Sequence, residues 1–205
     1  MSLILDLIFP VNCCSCGQSG HYLCPACFSK ISSQEIKGNS LSLFKYHSHI
    51  KKIISLYKYS FVTDVLSDLS TQVSLRLKSD YPNLVDYWQT KKYVITPIPL
   101  HLFRQNWRGF NQSALLSQKI AKNLGLSYSD SFLRRSQNRP PQAKLKDRSQ
   151  RLLNLSQPFS LISPPPAHLI LFDDVKTTSA TLNSASQTIK KQHPQTDIFY
   201  LTLAG

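Results

Sequence analysis

The sequence predicts an α/β fold: a parallel sheet flanked by helices, carrying a small four-cysteine metal segment at its front. Two observations predict it. Runs of apolar, β-branched and aromatic residues, YVITPI (93–98), HLILFDD (168–174) and DIFYLTLA (197–204), alternate with segments of helical periodicity. Strands of this kind, near-continuously apolar and separated by helices, belong to a parallel sheet covered on both faces. All five cysteines lie between Cys13 and Cys27 of a 205-residue chain that is 41% hydrophobic, enough for one ordinary core and an appendage rather than a disulfide-built miniprotein or a disordered chain.

The opening MSLILDLIFP carries Asp6, lacks a basic flank and falls short of the roughly 18 apolar residues that a membrane span needs. No membrane insertion and a cytoplasmic location are therefore expected. Residues 1–38 form the first unit and end in the polar stretch Ser32 to Ser40. Cys13-x-x-Cys16 and Cys24-x-x-Cys27 have the spacing of two thiolate knuckles closing one tetrahedral zinc site, with Gly17 and Gly20 allowing the turns between them. Four thiolates leave no open coordination position, so the Zn2+ is read as structural. Cys14 is left over, because Cys14-x-Cys16 is too tight for the same turn.

Residues 39–205 form the second unit. From Val62 to Leu77 the residues Val62, Val65, Leu66, Leu69, Val73 and Leu77 recur at helical spacing, with Asp64 and Asp68 near the positive end of the dipole. The strand 93–98 follows. A helix is predicted from Gln112 to Leu124, with Asn111 as its cap and Gly125 as its stop. Ser163 to Pro166 (SPPP) is a stiff connector, since consecutive prolines suit neither a helix nor a central strand. The strand 168–174, a helix from about Ser179 to Lys191 and the strand 197–204 complete the chain. In open parallel sheets ligands lie beyond the carboxyl ends of the strands, which directs attention to Pro97–His101 and Asp173–Thr181.

The formal charge of +13 and a pI near 9.7 point to an anionic partner. The charge is local: residues 101–151 hold eleven Lys and Arg against Asp130 and Asp147. Arginine predominates there, and its planar fork suits phosphate and stacks on bases. Arg104, Trp107, Arg108, Arg134, Arg135, Arg139, Arg148 and Arg151 are candidates for nucleic-acid binding, with Trp107, Phe110 and Phe132 as stacking platforms for a single strand. The competing reading is a solvated basic surface with Trp107 and Phe110 in the core.

In HLILFDDVKTTSATLNSA a buried strand ends in two acids, a hydroxyl-rich turn follows and a helix begins. Backbone N–H groups of such a turn and the helix end can hold a phosphate, while Asp173 and Asp174 can accept hydrogen bonds from vicinal hydroxyls; a ribose carrying a phosphate satisfies both. The competing reading is a helix merely capped by Thr177 or Thr178. DDVKTTSAT resembles the phosphoribosyl-pyrophosphate (PRPP) motif of type I phosphoribosyltransferases. That resemblance implies ribose contacts from Asp173 and Asp174 and phosphate contacts from Thr177, Thr178, Ser179, Ala180 and Thr181. Ser179 stands where the motif has glycine; if that position requires positive φ, serine costs about 1 kcal/mol or more there.

The ordered series of the paired cysteines, LYKY (56–59), TPIPLH (96–101), RGFNQ (108–112), LRR, PPQ, LKDR, RLLN and DDVKTTSAT resembles the ComF/GntX family of competence-associated proteins over essentially the whole chain. The resemblance implies a type I phosphoribosyltransferase-like domain behind a four-cysteine zinc ribbon. Ile98, Pro99, Leu100 and His101 would be its pyrophosphate loop, and residues from about Arg134 to Arg151 would include a loop folding over substrate. It also implies a role in natural transformation, with single-stranded DNA, PRPP or a related ribose phosphate, and other competence proteins as partners. Two functions are expected from these features. One is the handling of incoming single-stranded DNA by the basic face, beside a PRPP-type site. The other is phosphoribosyl transfer from PRPP to an unidentified acceptor, with Mg2+ accompanying the PRPP.

Overall fold

The computed structural model describes residues 11–59, 63–100, 110–135, 158–175 and 179–205. Its helices are α1 (Pro25–Ser29), α2 (Ser48–Tyr59), α3 (Thr63–Asp80), α4 (Pro82–Thr90), α5 (Gln112–Leu124) and α6 (Ala180–Gln192). The strands β1 (Ser40–Phe44), β2 (Val94–Pro97), β3 (Ser127–Tyr128), β6 (His168–Val175) and β7 (Asp197–Ala204) form one sheet in the order β1-β7-β6-β2-β3, every neighbouring pair parallel. A separate antiparallel hairpin joins β4 (Leu133–Arg135) to β5 (Phe159–Leu161).

The predicted elements form where local sequence makes them. The Asn111 side chain accepts a hydrogen bond from Ala114 N at 3.3 Å, and Gly125 ends α5 at φ 68°, with Leu126 N donating back to Ala121 O at 2.9 Å. The predicted strand 93–98 is β2, prolonged by Ile98 N donating to Phe172 O at 2.8 Å.

Helices cover both faces, as the apolar strands require. Ile170, Phe172, Phe199 and Leu201 share a core with Leu69, Val73 and Leu77 of α3, Trp88 of α4, and Leu116 and Ile120 of α5. On the opposite face Leu169, Leu171 and Ile198 meet Leu182, Ala185 and Ile189 of α6 together with Phe132 and Phe159 around the hairpin. The period-2 pleat sorts residues 169–172 between these two cores.

β1 is an edge strand, and its outer side is shielded by an antiparallel bridge between Ser33 and Phe44 and by Gln34 N donating to Leu43 O at 3.1 Å. The cysteine segment seats on α3: Gln72 Nε2 donates to Leu23 O at 2.6 Å and Arg76 Nη2 to Phe28 O at 3.0 Å. Phe28 is buried edge-on against Phe44, with ring centroids 5.2 Å apart, and the Arg76 guanidinium lies 5.2 Å from the Phe28 ring. Cys13, Cys24 and Phe28 are thus part of the core that underlies the sheet.

Candidate functional site

The strand order creates a crevice at one point of the sheet. From β2 the chain passes through α5 to β3 on one side, whereas from β6 it passes through α6 to β7 on the other. Where the direction of winding reverses, between β2 and β6, the loops leaving the two strands diverge and open a space outside their carboxyl ends. Pro97 pairs with Phe172 across this junction, so Ile98, Pro99 and Leu100 leave β2 beside Asp173 and Asp174. Two predicted segments more than 70 residues apart are thereby brought together. His101, Thr177 and Thr178 lie outside the described residues.

Asp173 and Asp174 are half-buried, and Asp173 Oδ1 accepts a hydrogen bond from Asp174 N at 2.8 Å. Ser179 precedes α6 in the left-handed region, at φ 57° and ψ −3°; its carbonyl accepts the hydrogen bond of Asn183 N at 2.9 Å, and its hydroxyl makes no capping bond. The position occupied by glycine in the resembled motif therefore does demand positive φ. Ala180 is exposed and Thr181 half-buried in the first turn of the helix. At the end of β2, Thr96 is fully buried and its Oγ1 has no hydrogen-bond partner among the described residues.

A cleft of about 480 Å³ opens beside this junction. Pro97, Pro99 and Leu100 line one wall, Asn111 and Ala114 of α5 another, and Leu133, Arg134, Arg135 and Ile162 of the hairpin a third, with Asp130 also on its lining. Asn111 ties two walls together, since its Nδ2 donates to Ile98 O at 3.1 Å. Arg134 is exposed, and the Arg135 guanidinium sits 5.4 Å from the Phe159 ring. Asp130 accepts from the Tyr128 hydroxyl at 3.1 Å, and burial together with this carboxylate raises the Tyr128 phenol above its usual range. Polar and apolar surfaces share the walls about equally, so the cleft is more polar than the usual small-molecule site.

Of the predicted cationic set, Arg134 and Arg135 stand on this cleft, while Arg104, Trp107, Arg108, Arg139, Arg148 and Arg151 lie outside the described residues. Phe132 corrects one expectation. It is 2% exposed in the core beneath the hairpin and is not a stacking platform.

The four predicted metal ligands converge. The sulfurs of Cys13, Cys16, Cys24 and Cys27 all lie within 4.8 Å of one another, and Cys16 Sγ is 3.7 Å from Cys24 Sγ. A tetrahedral site with Zn–S bonds of about 2.3 Å has S–S edges of about 3.8 Å, so the set is dimensioned for such an ion. Gly17 and Gly20, at φ 78° and 98°, make the turns that bring the knuckles together. Burial raises the Cys13 thiol, but amides of Cys24, Cys16 and Ser15 outweigh it and bring it down to about 6. At Cys24 the Cys27 amide opposes burial and the neighbouring sulfurs, which prevail and push the thiol up to about 12. Crowded sulfurs that resist full ionisation are what a divalent cation relieves. Burial and the adjacent Cys13 keep the fifth cysteine, Cys14, raised as well.

No family model matches the chain. Over 196 residues, 93% of the chain and 76% of the relative, it is 26% identical to Competence protein ComFC of Bacillus subtilis. Over 103 residues, 47% of the chain and 44% of the relative, it is 39% identical to Competence protein F of Haemophilus influenzae. The chain is similar to both of these competence proteins. The chain is also 35% identical over 94 residues to DNA utilization protein YhgH of Salmonella typhi, covering 45% of the chain and 41% of the relative. Its matches span less than half the length of the Haemophilus and Salmonella proteins.

Sequence reasoning missed Asp130 and Ile162 as members of this cleft, and Thr96 as a buried residue of the junction. Asp130 and Ile162 belong to none of the quoted motifs, Thr96 and Asn111 stand in TPIPLH and RGFNQ, and the strand order and the hairpin bring the four together. No helix among the described residues is long and apolar enough to cross a membrane.

Proposed function

We propose that this protein belongs to the ComF family and acts in competence, in the cytoplasm, by handling single-stranded DNA on a basic surface next to a ribose-phosphate site of the PRPP type. The observation that supports the reading is the pairing of the β2 and β6 carboxyl ends: Asp173 and Asp174 stand at the end of β6, and the residues leaving β2 border a cleft that bears Arg134 and Arg135. Asp173 and Asp174 would accept from the ribose hydroxyls, and the turn ending in Ser179, Ala180 and Thr181 would receive the 5′-phosphate. Ile98, Pro99 and Leu100 would border the pyrophosphate, with Mg2+ accompanying PRPP. Arginines provide the charge that a phosphate backbone needs. The four cysteines would hold a structural Zn2+ in a unit ending at about residue 38, with the sheet domain following. The names of the relatives support the competence role and suggest other competence proteins as partners.

PRPP and oligonucleotide binding measured on one zinc-loaded preparation test this. Single-stranded DNA is expected to bind with an affinity that falls steeply with salt; replacing Arg134 and Arg135 by alanine should lower that affinity, the slope of log K against log salt falling by about 0.7 for each phosphate that is no longer neutralised. Calorimetry should show PRPP heat that disappears in Asp173→Ala plus Asp174→Ala. A wild type that leaves single strands unbound at low salt would sink the DNA reading, and one giving no PRPP heat would sink the ribose-phosphate reading. The cleft favours a second reading, phosphoribosyl transfer to an acceptor seated there; pyrophosphate release that depends on an added acceptor would support it.

A further inference from the structure

The end of β1 brings a cluster of exposed cationic and aromatic residues to the same edge of the sheet. Phe44 pairs with Ala204, and Ala204 pairs in turn with Val175, so the last residues of β1, β7 and β6 stand level across three parallel strands. At an inter-strand spacing of 4.7–4.9 Å, the chain leaving β1 starts about 10 Å from the turn that follows Val175. That exit is pinned, with Gly205 N donating to Phe44 O at 3.1 Å and Tyr46 N to Gly205 O at 3.4 Å.

The residues at this exit are Lys45, Tyr46, His47, Ser48 and His49, followed by Lys51 on the first turn of α2. Tyr46 is 48% exposed although nothing in the core requires a large ring at the surface there. His47 and His49 stand edge to face, ring centroids 5.6 Å apart, and the His47 carbonyl accepts from Lys51 N at 2.8 Å, which holds the segment against the helix. Lys45 and Lys51 are exposed, and neither enters an ion pair with a described residue.

An exposed ring on a pinned stretch of backbone, with cations nearby in the chain, is what a single nucleic-acid strand recognises without regard to sequence. Every base offers a π-face to the ring, and the lysines meet the phosphates on either side. We infer that Tyr46, with Lys45 and Lys51, is a base-stacking contact for single-stranded nucleic acid, continuing the binding track from the hairpin arginines across the ribose-phosphate junction to the β1 edge. This rests on the single-strand reading above, and adds a contact surface outside residues 101–151, where the sequence concentrates its charge.

Oligonucleotide affinity of the full zinc-loaded chain tests it, with Tyr46→Ala, Tyr46→Trp, Lys51→Gln and the Arg134→Ala plus Arg135→Ala variant compared at one salt concentration. Tyr46→Ala should weaken binding roughly 5- to 150-fold, Tyr46→Trp should restore it, and the tryptophan fluorescence should be quenched on saturation. Lys51→Gln should reduce the salt slope. An abasic strand should bind wild type and Tyr46→Ala alike, because stacking needs the base. Wild-type affinity that survives Tyr46→Ala, or an equal loss on the abasic strand, overturns the stacking role and leaves the DNA reading standing; a wild type without affinity for either strand overturns that reading as well.

Discussion

Replacing Ser179 with glycine relieves a backbone conformation that the structure imposes just before α6. Ser179 has φ 57°, where an L-residue's Cβ crowds the following carbonyl at a cost of about 1–2 kcal/mol, and its hydroxyl returns nothing through a capping bond. Glycine removes that crowding but frees the unfolded chain, which takes back about 0.4–1 kcal/mol. The net expectation is a gain of about 0.5–1 kcal/mol, equivalent to a rise in Tm of roughly 1–4 °C for a chain of this size. Two controls separate the causes. Ser179→Ala keeps the Cβ and the positive φ while losing only an unused hydroxyl, so it should match wild type within about 0.5 kcal/mol. Ser179→Val places a β-branched residue in the left-handed region and should cost more than alanine does. Urea unfolding at fixed zinc and calorimetric scans give the stabilities. If Ser179→Ala loses 1 kcal/mol or more while Ser179→Gly gains nothing, the hydroxyl is in use and the strain argument fails.

Other expectations follow from particular side chains. Phe28→Ala removes a buried ring that meets Phe44 and Arg76, and should cost about 3–5 kcal/mol; because Phe28 couples the cysteine segment to the sheet, stripping the metal with a chelator should destabilise this variant less than wild type, and equal losses would refute the coupling. Asn111→Ala should cost about 1 kcal/mol through its lost cap, whereas Asn111→Asp keeps the cap acceptor but loses the Nδ2 bond to Ile98 O, so it should retain stability and weaken ligands of the cleft. Burial pushes the Asp80 carboxyl up, but the Ser33 and Ser79 hydroxyls and the Arg76 guanidinium outweigh it and hold it below its usual 3.8. A lowered folded pKa contributes stability that is present above the unfolded value and lost as pH falls through the folded one. The gap in urea midpoint between wild type and Asp80→Asn should therefore be constant near neutrality and close below about pH 4; a gap that is unchanged at pH 3 would contradict this.

The parts of the fold legible in the sequence are those whose cause is local. α5 was readable with approximate ends, since the Asn111 cap, the apolar positions Leu116, Ile120 and Leu124 and the Gly125 stop act over a few residues of the chain. β6 and β7 were readable because strands buried on both faces must be apolar along their length. The cysteine knuckles were readable because two ligands three residues apart reach one ion only through a tight turn. β1 escaped notice: Ser40–Phe44 alternates polar and apolar residues and is a strand only because it pairs with β7, some 160 residues away. The hairpin was equally hidden, its strands of three residues each being separated by more than 20 residues. Phe132 was misjudged for a related reason, because a ring among arginines reads as a surface ring until the hairpin closes over it.

The amino-acid order by itself determined the four-cysteine cluster, the acid pair at the end of β6, the major strands and their helices, because spacing, capping and continuous hydrophobicity act over a few residues. The tertiary structure alone decided which strand lies beside which. From that single choice came the meeting of residues 97–100 with Asp173 and Asp174, the cleft that draws on Asn111 and Ile162, and the level of Tyr46 with the end of β6. Pairings between distant strands depend on the packing of both sheet faces at once, and no short stretch of chain carries that information.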